Sequence, residues 1–168
     1  MKTVYGVSQH LNDIKPDVFS LSNEIKNKSV LIGFYSYSYP NNHLDLKELA
    51  VQSAQNLFKE KNNFIDSIFI EMEDVDVAFS DSPATMAYYA PMIIPSQRIA
   101  NKILKFIKKY DGYDVVATCS AGFSRTGAIV SFLESDFGYT VSDINTHFKP
   151  NKDLLSFLKK ANGTERNN

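Results

Sequence analysis

The stretch Tyr113-Asp114-Val115-Val116-Ala117-Thr118-Cys119-Ser120-Ala121-Gly122-Phe123-Ser124-Arg125-Thr126-Gly127 passes from a short apolar segment through a compact polar loop into a second apolar run. Residues 113–118 are short, apolar and bounded by Asp111-Gly112, which predicts a buried central strand. From Thr126 to about Ser135 the chain reads as a helix. The order strand, tight loop, helix puts residues 119–125 at a helix N-terminus, where unpaired N–H groups and the positive end of the helix dipole favour an anion.

A phosphate group needs several donors converging on its oxygens, and this loop has the residue types for it. Gly122 permits a backbone conformation closed to other residues, so the amides of Ser120, Ala121, Gly122, Phe123, Ser124 and Arg125 can turn inward as a nest. Arg125 adds a planar fork that matches two phosphate oxygens. The same surroundings favour thiolate over thiol at Cys119, and a thiolate is a strong nucleophile.

Working outward, residues 2–9, 29–37 and 64–72 are rich in β-branched and aromatic residues and predict strands. Residues 44–60 carry apolar side chains at helical spacing. Segment 74–95 holds Pro83, Pro91 and Pro95 and reads as a long loop with room for a short helical turn, a length that often accompanies function. Pro95 and Ser96 open a helix through Tyr110. Residues 142–148 and 151–160 predict two further short helices separated by Pro150. Alternating strands and helices imply an α/β fold: one domain over 1–160, with a central, largely parallel twisted sheet flanked by helices, and a polar, flexible tail over 161–168.

The bulk composition narrows the chemistry without choosing the substrate. The 168 residues are 43% hydrophobic and 22% charged, ordinary for one globular domain, and the formal charge of -1 gives no basic field for nucleic acid or an anionic membrane. The single cysteine excludes an intramolecular disulfide and fits a reducing compartment. Residues 1–10 lack the apolar core of a signal peptide, so the expectation is a cytoplasmic protein. His10, His43 and His147 are scattered and show no ligand spacing with each other or with Cys119, so no metal site and no cofactor are expected.

The run Cys119-Ser-Ala-Gly-Phe-Ser-Arg125-Thr126-Gly127 resembles the signature loop of the protein tyrosine phosphatase superfamily: cysteine, five residues, arginine, then Ser or Thr and Gly. Given one cysteine, chance would place these residues at these offsets on the order of once in 10⁵. Phe148-Lys149-Pro150-Asn151, followed by Leu155, Phe157 and Leu158, is similar to the proline-asparagine segment and final helix of small dual-specificity phosphatases. The likeness covers about 74–160. It implies a protein tyrosine phosphatase-like fold and a phosphomonoester hydrolase acting through a phosphocysteine, with Cys119 as nucleophile and Arg125 on the phosphate. Thr126 would lend its hydroxyl to the departing sulfur. The implied substrates are proteins carrying phosphotyrosine, and phosphoserine or phosphothreonine, handled by a monomer.

The family also uses an aspartate upstream as general acid and then base. Asp81, in Phe79-Ser80-Asp81-Ser82-Pro83, is the first candidate, with Asp76 and Asp74 as rivals. One departure from the pattern is Thr118, where the superfamily usually has histidine. It keeps open a second class, a phosphate-recognition module (pseudophosphatase) with little turnover. A third is an enzyme of the same loop acting on RNA 5′-triphosphate, a phosphoinositide or an inositol phosphate, which the uncharged residues 120–124 disfavour.

Overall fold

The computed structural model describes residues 1–10, 16–37 and 44–164, and for residues 44–47 the backbone alone. Five strands form one sheet: β1 (Thr3–Ser8), β2 (Ser29–Tyr35), β3 (Ser67–Glu71), β4 (Asp114–Cys119) and β5 (Thr140–Val141), in the spatial order β3-β2-β4-β1-β5. Every pairing is parallel. The helices are α1 (Asn23–Lys28), α2 (Leu44–Lys59), α3 (Pro83–Tyr89), α4 (Gln97–Lys109), α5 (Arg125–Phe137) and α6 (Lys152–Asn162), with 3-10 turns at Val18–Ser20 and Glu60–Asn63.

Strand periodicity divides the core in two. Val30, Ile32 and Phe34 of β2 and Val115, Ala117 and Cys119 of β4 point to one face, where Ile103 and Ile107 of α4, Ile129 and Phe132 of α5, and Leu154 and Leu158 of α6 cover them. Leu31 and Val116 point the other way, and join Val7, Leu57 and Phe64. With both faces covered, the central strands are apolar throughout, as parallel sheets require. This is the α/β architecture that the alternating pattern implies.

Local chemistry fixes the helix ends. Ser96 caps α4 by accepting from the Ile99 amide, and Asn151 caps α6 by accepting from Leu154 at 2.9 Å. Gly138 closes α5 in the left-handed conformation, with φ of 68°. Helix α6 continues through Asn162 to a Gly163 cap, two residues beyond the expected end of the folded region.

The helix expected over 142–148 does not form. This segment is irregular because tertiary contacts claim it. The Ser142 amide bonds Val4 O, the buried Asn145 amide donates to Gly6 O and Gly122 O, and Phe148 lies against Gly6 and Gly127. A seven-residue helix has little stability of its own to set against such anchors. Helix α1, which Ser22 caps, and the short strand β5 carry too little periodic signal to stand out in sequence.

Candidate active site

The site lies at the carboxyl end of the sheet, where β4 ends beside β1 with Cys119 paired to Ser8. Open parallel sheets place ligands at this edge. Cys119 is a free thiol, 1% exposed. The chain turns after it through a Gly122 amide bond to Cys119 O at 3.1 Å, with Gly122 at φ of 66°. A Cβ on Gly122 would come within 2.7 Å of Ser8 N and Val7 C, so glycine is required both for the turn and for the close approach to β1.

Long-range bonds hold the loop on three sides. Gln9 N donates to Ser120 O at 3.2 Å, Asn145 Nδ2 donates to Gly122 O at 3.2 Å, and Asn151 N donates to Ser124 O at 3.0 Å. The turn therefore does not depend on ligand for its shape. Among the described residues, no hydrogen bond runs from the backbone N–H of Ser120, Ala121, Ser124 or Arg125 to another protein group. Helix α5 begins at Arg125, so its positive end adds to these amides.

Arg125 is buried, with Nη1 donating to Met72 O at 2.8 Å and, more weakly, to Ser36 Oγ at 3.4 Å. Among the described residues its Nε is buried without a partner, as are Thr126 Oγ1 and Thr118 Oγ1. Burying a charged donor unpaired costs about 1–3 kcal/mol or more, so an acceptor beside the guanidinium is favoured there.

A cavity of about 580 Å³ opens beside this loop, with Ser120 and Arg125 in its wall. Leu49 and Ala50 of α2, Phe34 and Tyr35 of β2, and Tyr88 and Tyr89 of α3 provide much of the rest. Burial, with the Glu71 carboxylate and Tyr37 behind it, pushes the Tyr35 hydroxyl above the usual tyrosine range and keeps it a neutral donor at neutral pH. Cys119 is not in the cavity wall; it belongs to the buried core that α4, α5 and α6 cover. Phe123 is half-buried and also outside the wall.

The three aspartates have separate positions. Asp74, in the cavity wall, accepts from Ser124 Oγ at 2.7 Å and from Asn151 Nδ2 at 3.0 Å, which ties it to the loop. Asp76 accepts from Asp153 N at the start of α6, a structural contact. Asp81 is exposed ahead of α3 and does not line the cavity. The structure thus brings Asp74, rather than Asp81, to the Cys119–Arg125 loop.

Several site residues had no sequence signal. Ser36, Met72 O and Asn145 reach the loop from remote parts of the chain. His10 did not stand out because its partner, Ser120 Oγ at 2.8 Å, is 110 positions away. His43 lies outside the described residues. Among the described residues no three His, Cys, Asp or Glu side chains group in a way that could hold a metal ion, and no helix is long and apolar enough to cross a membrane. No protein-family model, curated protein or solved structure matches the chain.

Proposed function

We propose that the chain is a phosphomonoester hydrolase of the cysteine-nucleophile class. Within that class, we read it as a protein tyrosine or dual-specificity phosphatase that works on phosphoproteins in the cytoplasm. The observation that carries this reading is the buried Arg125, whose Nε has no partner among the described residues, beside a glycine-turned loop in which the amides of Ser120, Ala121, Ser124 and Arg125 donate to no described protein group. A phosphate oxygen is the acceptor such a group suits.

In the proposed reaction the Cys119 thiolate attacks phosphorus in line, and the P–O bond to the leaving group breaks as the S–P bond forms. Asp74 gives its proton to the leaving oxygen. Water then attacks the phosphocysteine, losing a proton to Asp74, and the S–P bond breaks with the Thr126 hydroxyl donating to the sulfur. Arg125 and the amides follow the phosphoryl oxygens through both steps. Asp74 replaces Asp81 as the preferred acid because of its bond to Ser124. The aromatic cavity wall suits an aryl leaving group, and Glu73 and Asp74 in that wall oppose polyanions such as inositol polyphosphates or RNA 5′-triphosphate.

The burial of Cys119 outside the cavity wall favours a second reading, a recognition module that binds phosphate with negligible turnover. Phosphate release from a small aryl phosphate decides between them. Active wild type should lose at least about 10⁴-fold in Cys119→Ser. Asp74→Asn should lose about 10²-fold together with the basic limb of the pH–rate profile, and Asp81→Asn should keep both. No turnover in a wild type that vanadate stabilises would select the recognition module.

A further inference from the structure

We propose that His10 is a charge-switched part of the anion site: its imidazolium strengthens binding of a dianion by adding positive charge and by freeing the Ser120 hydroxyl to donate. The proposal rests on the loop being a phosphate site. His10 follows the end of β1, and its Nε2 is 2.8 Å from Ser120 Oγ. Both residues are in the cavity wall, with Arg125. The backbone supports the placement: Gln9 N donates to Ser120 O, and Ser8 Oγ donates to His10 O at 2.8 Å.

The direction of the His10–Ser120 bond depends on charge. A neutral ring whose Nε2 is bare accepts the Ser120 hydroxyl proton, so that proton is unavailable to a ligand. An imidazolium carries hydrogen on both ring nitrogens and can only donate. Nε2–H then points at Ser120 Oγ, and the hydroxyl hydrogen is released toward the cavity. Protonation thus adds one charge and one donor at the residue next to Cys119. Thr118, before the cysteine, carries no charge, and His10 brings an imidazole to the loop from the end of β1.

Other ionisable groups face the same space. Glu73 and Asp74, after β3, and Arg125, at the start of α5, line the same cavity as His10. Tyr35 stays neutral near pH 7, Tyr88 and Tyr89 line the same cavity, and the described part of α2 contributes Leu49, Ala50, Ser53 and Ala54, none of which titrates. Among the described residues of the loop, Cys119 is a further group whose charge would affect an anion.

Sulfate is the suitable probe, since it stays a dianion throughout the range in which histidines change charge. The protein carries Cys119→Ser, which removes the thiol titration and any turnover. Calorimetric titration with sulfate at pH 5.5, 6.5 and 7.5 should show affinity falling by about five- to tenfold as pH rises, the size expected for one charge at a partly exposed site. Adding His10→Gln, which keeps a hydrogen-bonding group toward Ser120 but not the charge, should flatten the dependence at the weaker value. His10 is exposed, so this variant should melt with the parent. An equal pH slope in both proteins would overturn the role of His10 while leaving the anion site standing. Absence of sulfate binding in the parent at every pH, unchanged by Arg125→Ala, would overturn the anion site and the His10 role together.

Discussion

Helices α5 and α3 both contribute to the cavity, but they are built in opposite ways. Helix α5 buries Arg125, Thr126, Gly127, Ala128, Ile129, Val130, Phe132 and Leu133, so a charged residue is locked into the core at its first position. Helix α3 buries none of its seven residues, although Tyr88 and Tyr89 enter the cavity wall. The part that would hold phosphate is therefore fixed by the same packing that stabilises the fold, and the part that would meet the rest of a substrate is carried on the surface. Changes in the first should cost both activity and stability. Changes in the second should be felt in substrate choice alone.

Between these two helices, the largest effect should come from Arg125→Lys. A lysine keeps the charge but not the planar fork, and it cannot serve Met72 O and two phosphate oxygens together. On an aryl phosphate, kcat/KM should fall by about 10²–10³-fold. Retention of activity would show that charge alone is enough and that the α5 anchor is looser than its packing suggests. Gly122→Ala should come next, with unfolding in urea showing a loss of about 3 kcal/mol or more, from left-handed strain plus collision with Ser8 N and Val7 C. Gly112 also has positive φ, 97°, but a Cβ there meets nothing within 4 Å. Gly112→Ala should cost only about 1 kcal/mol, the strain alone. Equal losses at the two glycines would mean that the loop can move off β1.

Legibility in the sequence followed the same division. The strand, loop and helix from Asp114 to Phe137 were readable because their determinants are local: an apolar run, a glycine that alone tolerates the turn, and an arginine at a fixed offset from the cysteine. The central strands were equally plain, since burial on both faces leaves residues such as Val30, Leu31 and Ile32 continuously apolar. What was lost depends on partners far away in the chain. Asp74 and Asp81 are similar in sequence as loop aspartates, and only the approach of Ser124 and Asn151 separates them. The 142–148 segment has an acceptable helical pattern that Asn145 overrides by bonding across to Gly6 and Gly122. His10 had no local signal at all, because its proximity to Ser120 follows from the register of β1 against β4.

The smallest expected effect tests the surface side of the comparison. Tyr88 is 55% exposed, and its ring meets Tyr89 edge-on with centroids 4.9 Å apart. Truncation to alanine removes one wall of the cavity and no core contact, so stability should change by no more than about 0.5 kcal/mol. The loss should show instead as a few-fold rise in KM for an aryl phosphate, with kcat nearly unchanged, because a wall that contacts ground state and transition state alike contributes uniform binding. An alkyl phosphate too small to reach the ring should show no change. If Tyr88→Ala lowered the melting temperature as far as Gly122→Ala, α3 would be part of the structural frame and the division between a fixed anchor and a surface wall would fail.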